Sequence, residues 1–597
     1  MPVTPFPRPQ SMTSTTGTGP AADAPLRVVL DPATPAQGYR LQTSPEGTTI
    51  AHSDAAGLRY ALATLDQLRA DREFSTTSYD ISDHPDFPVR GFMLDVSRDR
   101  VPTRRTLARW VDVLVLARIN TLELYTEHTY AFSGEQEVWQ DASPLTAQDL
   151  QWLDALCASR GVDLVCNQNT LGHMERFLKH PRHAQRAENE DGFEMREVHR
   201  PPSTLEPTPE NAAFVQGLLE DVTPNFRTKR LNVGADEPFE LGTGKSAGRA
   251  EEVGLGTVYW DYVTSVLQPW LDRGYAVEFW ADVFGDHPEL MDKVPAGAVP
   301  VVWQYDSPQL LQEVVDAASP GQVQEWESLG VDVTALRDGF RDRAKLLLDA
   351  GIPFWVAPGA SNWNSLLGRW DNAVGNMLDA AEVGLAHSAQ GYLNTSWGDH
   401  GHWDPPSVAF GPVLFGGAVS WSLEGNRDVD VAAVLSDALL LDPHGVVGDV
   451  LVRAGKVCAQ LGAPLLNASP LCLVLREPDQ LKPWAVPAPA ALADVQAELL
   501  SCVQDLRSAE PAAADGDVVV REVTWALQLA EFAVRVFQAR GQDGAFDAVR
   551  APRLLTELEG LLEEHRACWA LRSRPGGLPE SLAAFAPLRH ALLRAVG

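Results

Sequence analysis

The sequence predicts an α/β protein built on a (β/α)8 TIM barrel, preceded by a small α/β domain and followed by a helical C-terminal region. Three observations predict this order. Between Pro88 and Asn426 short apolar runs alternate with helical patterns, and the strand candidates number eight. The reactive side chains fall at the C-terminal ends of those strands, where such a barrel gathers its chemistry. Beyond residue 426 strand patterns give way to long amphipathic helices.

Residues 1–24 are rich in Pro, Thr, Ser, Gly and Ala, the composition of a disordered tail. Residues 25–85 read as the small α/β domain: strand-like runs at 27–30, 39–42 and 48–50 precede a helix from Ala55 through Ala70, with Leu58, Ala61, Leu62 and Leu65 at helical spacing. The barrel spans 86–426, with strands expected at 90–96, 120–126, 162–167, 230–234, 277–283, 299–304, 354–358 and 391–396. Between them, Leu107, Trp110, Val111, Leu114 and Val115 mark one helix, and others are expected at 146–157 behind a Thr146 cap, 209–219, 257–271 and 334–350. An open doubly wound sheet is the alternative; the first strand lacks the Gly-rich phosphate loop of its nucleotide-binding form. Residues 427–597 form the helical domain, with Trp525 to Val536 as one amphipathic stretch and a Pro-rich linker at 481–489. It reads as a packing or oligomerisation element, which keeps a homo-oligomer among the expected assemblies.

Bulk properties exclude several classes. Across 597 residues, 48 basic against 80 acidic side chains give a net charge of −32, which disfavours nucleic acid and anionic membranes as partners. No run reaches the ~18 apolar residues of a membrane span. The start lacks a basic segment followed by an apolar one, so a cytoplasmic location is expected. Six cysteines are scattered without a CxxC pair, and the histidines lack ligand spacing, so neither metal nor cofactor is expected.

The most informative stretch is Asn232-Val233-Gly234-Ala235-Asp236-Glu237, an apolar strand ending in two adjacent carboxyls. Neighbouring strand residues point to opposite sides, so the pair presents two carboxyls in different directions at one rim. Two like charges this close cannot both ionise freely, and a partly dry site keeps one as an acid near neutral pH. The plainer reading is an acidic helix start. The surroundings favour a site: Asp95 and Arg98, Glu127, the 167–173 segment, Asp282, Tyr305, Asn362 and Trp397 to Asp399 all fall at strand ends and ring one face.

Four pieces, in order, make the chain resemble the family 20 glycoside hydrolases, the β-N-acetylhexosaminidases, and most of all their hexosaminidase D-like branch. They are Asp54 to Leu62 with Thr64 to Leu68, Arg90-Gly91-Phe92-Met93-Leu94-Asp95-Val96-Ser97-Arg98, Leu171-Gly172-His173-Met174-Glu175, and Gly234-Ala235-Asp236-Glu237. The resemblance covers about residues 26–425 and implies an exo-acting, retaining enzyme that removes terminal GlcNAc or GalNAc by substrate-assisted catalysis. It makes Glu237 the general acid/base and Asp236 the group that orients the substrate's acetamide, whose oxygen is the nucleophile. It makes His173 the partner of the acid, with Glu127 behind it in a Glu127-His173-Glu237 relay, and Arg90 the fork that grips sugar hydroxyls. Trp280, Trp363 and Trp397 become pocket walls, with Trp303 and Trp403 also near strand ends. Trp397 and Asp399 resemble the Trp-x-Glu element that binds hydroxyls 4 and 6, with Asp in place of Glu. The tyrosine expected after the seventh strand is missing from Pro358-Gly359-Ala360-Ser361-Asn362-Trp363-Asn364, so Tyr305 or Asn362 is the expected substitute. The Asp399 departure keeps a 6-substituted hexosamine open as substrate, and a non-catalytic carbohydrate-binding protein is the alternative from another class.

Overall fold

A computed structural model describes residues 4–21, 23–195, 198–283, 287–328, 333–541 and 544–597. The first domain is a five-stranded sheet of β1 (Ser11–Thr16), β2 (Leu26–Leu30), β3 (Tyr39–Ser44), β4 (Gly47–His52) and β5 (Thr77–Asp83), in the order β1-β5-β3-β4-β2. Helix Ala55–Arg69, capped by Asp54 accepting the Gly57 N–H, covers one face and buries Tyr60, Ala61, Leu65 and Leu68 against Tyr39, Leu41, Ile50 and Ile81. The N-terminal residues are a correction to the expected disordered tail, of which residues 1–3 and 22 lie outside the described residues. β1 pairs antiparallel with β5 along its whole length. Phe6 is buried, its main chain exchanges hydrogen bonds with the Gln67 side chain, and the Arg8 N–H reaches Asn426. Main-chain pairing at a sheet edge orders a strand whose side chains are mostly exposed.

The barrel strands are β6 (Val89–Asp95), β7 (Thr121–Thr126), β8 (Asp163–Gln168), β11 (Arg230–Asn232), β12 (Ala276–Trp280), β13 (Ala298–Gln304), β14 (Trp355–Pro358) and β15 (Gly391–Ser396). They close in that order, all parallel, with β15 returning to β6. All eight expected strands are present, and most of their residues are buried, as expected of strands covered on both faces. A short hairpin, β9 (Phe193–Met195) with β10 (Val198–Arg200), rises from the connection between β8 and β11 and was not expected.

The small domain closes the N-terminal end of the barrel. There Arg118 pairs with Asp83 at 2.6 Å and lies over the Trp421 ring at 4.3 Å, while the Trp421 Nε1–H donates to Asp83. The C-terminal helices, among them Gly516–Gln538 and Ala551–Arg572, pack back onto the barrel. Buried Arg572 binds Glu522 and Asp515, and the Arg574 N–H donates to the Val101 carbonyl. Among the described residues all six cysteines are free, and no helix is long and apolar enough to cross a membrane.

Candidate active site

The turn after β11 places both carboxyls at the C-terminal rim. Gly234, Ala235 and Glu237 are left-handed, with φ of 67°, 68° and 45°. Glycine is required at two points: a Cβ on Gly234 would stand 2.4 Å from Asn169 Oδ1, and one on Gly172 would stand 2.3 Å from the Asp236 carbonyl. Asp236 is 6% exposed and accepts a hydrogen bond from Asn169 Nδ2 at 3.1 Å. Glu237 is more open and faces a cavity of about 540 Å³, lined also by Arg98, Glu127, His173 and Asp399. A larger cleft of about 620 Å³ lies between helices 370–386 and 446–460 and contains none of these groups.

His173 joins the two carboxyls. Its Nε2 lies 3.5 Å from Asp236 and 3.4 Å from Glu237. Burial would lower its pKa, but the charge of Asp236 and the closeness of both carboxyls outweigh burial and raise it well above the usual imidazole value. Burial would likewise raise Asp236, yet His173, then Arg98 and Asn169, hold that carboxyl below its usual range. The site therefore holds one fixed anion and one accessible carboxyl bridged by a cationic ring.

The expected relay through Glu127 is not what the geometry contains. Glu127 accepts the Tyr125 hydroxyl at 2.8 Å and lies 3.8 Å from Arg98, and among the described residues no hydrogen bond joins it to His173. Burial, only partly offset by Arg98, pushes Glu127 up to about 7.

Arg90 requires the larger correction. It begins its strand, so its side chain is at the opposite end of the barrel from the carboxyls, fully buried against the small domain. It donates to the carbonyls of Phe87 and Arg118 and to the Tyr60 hydroxyl. The arginine at the rim is Arg98, three residues past the end of β6. It sits between Asp95 (3.1 Å), Asp399 (3.4 Å) and Glu127 (3.8 Å), with its guanidinium 4.8 Å from the Trp397 ring and 5.0 Å from that of Tyr125.

Trp280, Trp363 and Trp397 come together with Tyr125 and Tyr305 in one buried aromatic cluster at the top of the barrel. All three indole Nε1–H groups are buried without a hydrogen-bond partner among the described residues. Tyr305 stacks on Trp303 at 5.1 Å and meets Trp363 edge-on. Burial raises its pKa well above the usual phenol value, and the charges of Asp236 and Glu237 add to the rise, so its hydroxyl keeps its proton. Asn362 is committed elsewhere, its Nδ2 donating to Asp404 at 2.8 Å, which leaves Tyr305 as the available substitute for the missing tyrosine. Asp399 stays at the cavity edge between Arg98 and Asn364. Trp403 is not a wall: it stacks on Phe585 at 3.9 Å and donates to the Ser581 carbonyl, at the C-terminal domain.

Asn169 and Asp282 were expected on the strand-end face but were given no role in the site. Asp282 accepts the Glu237 N–H at 3.0 Å, and Asn169 contacts both Ala235 and Asp236. Their position beyond a strand end was the available signal. Among the described residues no group of three or more His, Cys, Asp or Glu is placed to hold a metal ion.

Comparison with known proteins gives three findings. The family model described as "Glycosyl hydrolase family 20, catalytic domain" matches residues 87–320, and "Glycosyl hydrolase family 20, domain 2" matches residues 6–84. A β-hexosaminidase of Akkermansia muciniphila is 31% identical over 156 residues, so that the match spans 23% of this chain and 31% of that relative's length. Among solved structures, a β-N-acetylhexosaminidase aligns with a TM-score of 0.54 at 17% identity, over 73% of this chain and 95% of that one. The GH20 exo-β-N-acetylglucosaminidase of Vibrio harveyi in complex with N-acetylglucosamine aligns at 0.54 and 16% identity, over 74% and 78%. At these identities the structural likeness is one of fold.

Proposed function

We propose, from the chain's membership of glycosyl hydrolase family 20, that it is an exo-acting, retaining β-N-acetylhexosaminidase acting on terminal GlcNAc or GalNAc. The observation that carries this reading is the adjacent Asp236 and Glu237 bridged by His173 at the strand-end rim. Side-by-side carboxyls cannot straddle a sugar ring, as a nucleophile and acid on the enzyme would have to. The nucleophile then belongs to the substrate.

In the first step the acetamide oxygen attacks the anomeric carbon, the glycosidic bond breaks, and Glu237 gives its proton to the departing oxygen. Asp236 holds the acetamide N–H and stabilises the positive charge that grows on the resulting oxazolinium. In the second step Glu237 takes a proton from water, the hydroxide adds to the anomeric carbon as the bond from that carbon to the acetamide oxygen breaks, and the acetamide carbonyl is regenerated. Two inversions give net retention. Arg98, a planar fork at the cavity edge, is the group suited to sugar hydroxyls, with Asp399 beside it. Tyr305 supplies the donor to the acetamide oxygen, and Trp280, Trp363 and Trp397 enclose the acetamide.

Within the family we assign the chain to the hexosaminidase D-like branch on its motifs, and to a cytoplasmic setting on its six unpaired thiols. Turnover of 4-nitrophenyl N-acetyl-β-glucosaminide and its galacto epimer, lost in Glu237→Gln, is the expected result. Turnover confined to 6-substituted analogues would move the substrate, and binding without turnover would refute the enzymatic reading.

A further inference from the structure

The Asp236–Glu237 turn has a main-chain shape that it would not keep unaided. Left-handed backbone at Ala235 and Glu237 (φ 68° and 45°) costs roughly 1–2 kcal/mol for each residue with a side chain. Four side chains hold it. Asn232 Oδ1 accepts the Gly234 N–H at 2.9 Å, Asn169 Oδ1 accepts the Ala235 N–H at 3.1 Å, the Tyr259 hydroxyl donates to the Ala235 carbonyl at 3.1 Å, and Asp282 Oδ2 accepts the Glu237 N–H at 3.0 Å. The last bond falls on the very residue that must deliver the proton.

Asp282 differs from the other three in being a carboxyl. It lies just past the end of β12, and its second oxygen is buried with no hydrogen-bond partner among the described residues. Among the described residues, the titratable groups that face it are Asp236 and Glu237 on the turn and Tyr259 on helix Leu255–Asp272. Burial first, and the charge of Asp236 second, push it up to about 8. A proton on this carboxyl leaves the Glu237 N–H bond in place and avoids a third negative charge in the site. The anchor matters because a catalytic group misplaced by ~1 Å loses about 100-fold in rate.

We propose that Asp282 is a positioning residue for the catalytic acid, a carboxyl whose hydrogen bond to the Glu237 main chain aims that side chain into the cavity. This inference rests on the reading of Glu237 as the acid. Asparagine imitates the neutral carboxyl, since its amide oxygen accepts the same N–H and it carries no charge.

The test combines steady-state kinetics with hydrogen–deuterium exchange of peptides covering residues 231–240 in wild type, D282A and D282N, with D282S in place of D282A should the latter not fold. D282A is expected to lower kcat about 100-fold with KM within about threefold, and D282N to recover at least about tenfold of that loss. Exchange at the turn should rise in D282A and return toward wild type in D282N. A kcat in D282A close to wild type overturns the proposal, and so does a D282N as impaired as D282A, which would mean that the carboxylate is the working form. Wild type without turnover defeats the functional reading instead. Exchange then decides the anchor by itself, and unchanged exchange in D282A overturns it.

Discussion

Replacing Arg98 by leucine is expected to lower kcat/KM on an N-acetylhexosaminide by about 100- to 1,000-fold while leaving the protein folded. Two charge-assisted hydrogen bonds from the guanidinium to sugar hydroxyls contribute about 1.5–2 kcal/mol each, so their loss raises the barrier by about 3–4 kcal/mol. The fold tolerates the change because each former partner keeps other support. Asp95 still accepts the N–H groups of Ser97, residue 98 and Gly398 at 2.8, 3.0 and 3.1 Å. Glu127 keeps the Tyr125 hydroxyl and, already pushed up to about 7, takes a proton rather than standing as a buried charge. Asp399 reaches solvent, with its side chain 25% exposed. Arg90→Leu is the control with the opposite signature. It strips donors from two buried carbonyls and a buried hydroxyl, at about 1–3 kcal/mol for each group left unpaired, yet touches nothing at the rim. Its melting temperature should fall while kcat/KM of the folded enzyme stays near wild type. Kinetics on the 4-nitrophenyl substrate and thermal melts of both variants decide the matter. A folded Arg90→Leu that loses about 100-fold, or an Arg98→Leu within about fivefold of wild type, refutes the assignment.

Asp236→Asn should lower kcat by about 100- to 1,000-fold with little change in KM, because its contact strengthens as the acetamide gains charge; an equal loss on a substrate lacking the acetamide would contradict that role. Stability should fall between about pH 6.5 and 8.5. Burial pushes Glu127, Asp404 and Asp282 up to about 7, 7 and 8, so in this window the folded state binds protons that the unfolded chain has already released. His173, raised by its carboxylate partners, acts in the same direction. Buried His128, His400, His402 and His565 are lowered and oppose the trend only below about pH 6.5, where the unfolded chain protonates them. Melting temperatures that stay flat or rise from pH 6.5 to 8.5 would contradict this account.

The barrel was legible because strands covered on both faces must be apolar, and runs such as Asn120 to Thr126 or Val162 to Asn167 stand out between helical patterns. Asp236, Glu237 and His173 were legible because their neighbours are small residues at a strand end. Strand β1 was not, since Ser-Met-Thr-Ser-Thr-Thr has no buried face to impose an alternation and is ordered through its main chain. Arg90 was misplaced although strand direction alone points to the right answer: a residue that opens a parallel strand lies at the end of the barrel away from the catalytic loops. Trp403 could not be assigned without the position of Phe585, and Asp282 not without the 3.0 Å bond to Glu237.

The left-handed turn also sets which variants a mutagenesis library can return. Saturating Gly172 or Gly234 should yield almost nothing but the parent, because any β-carbon meets an oxygen at 2.3 or 2.4 Å. Ala235, at φ 68°, should instead favour glycine or asparagine. Diversity aimed at new specificity is better spent on the cavity lip, at Asp399, Phe193 and Phe239, where side chains change without bending the main chain that carries the two carboxyls.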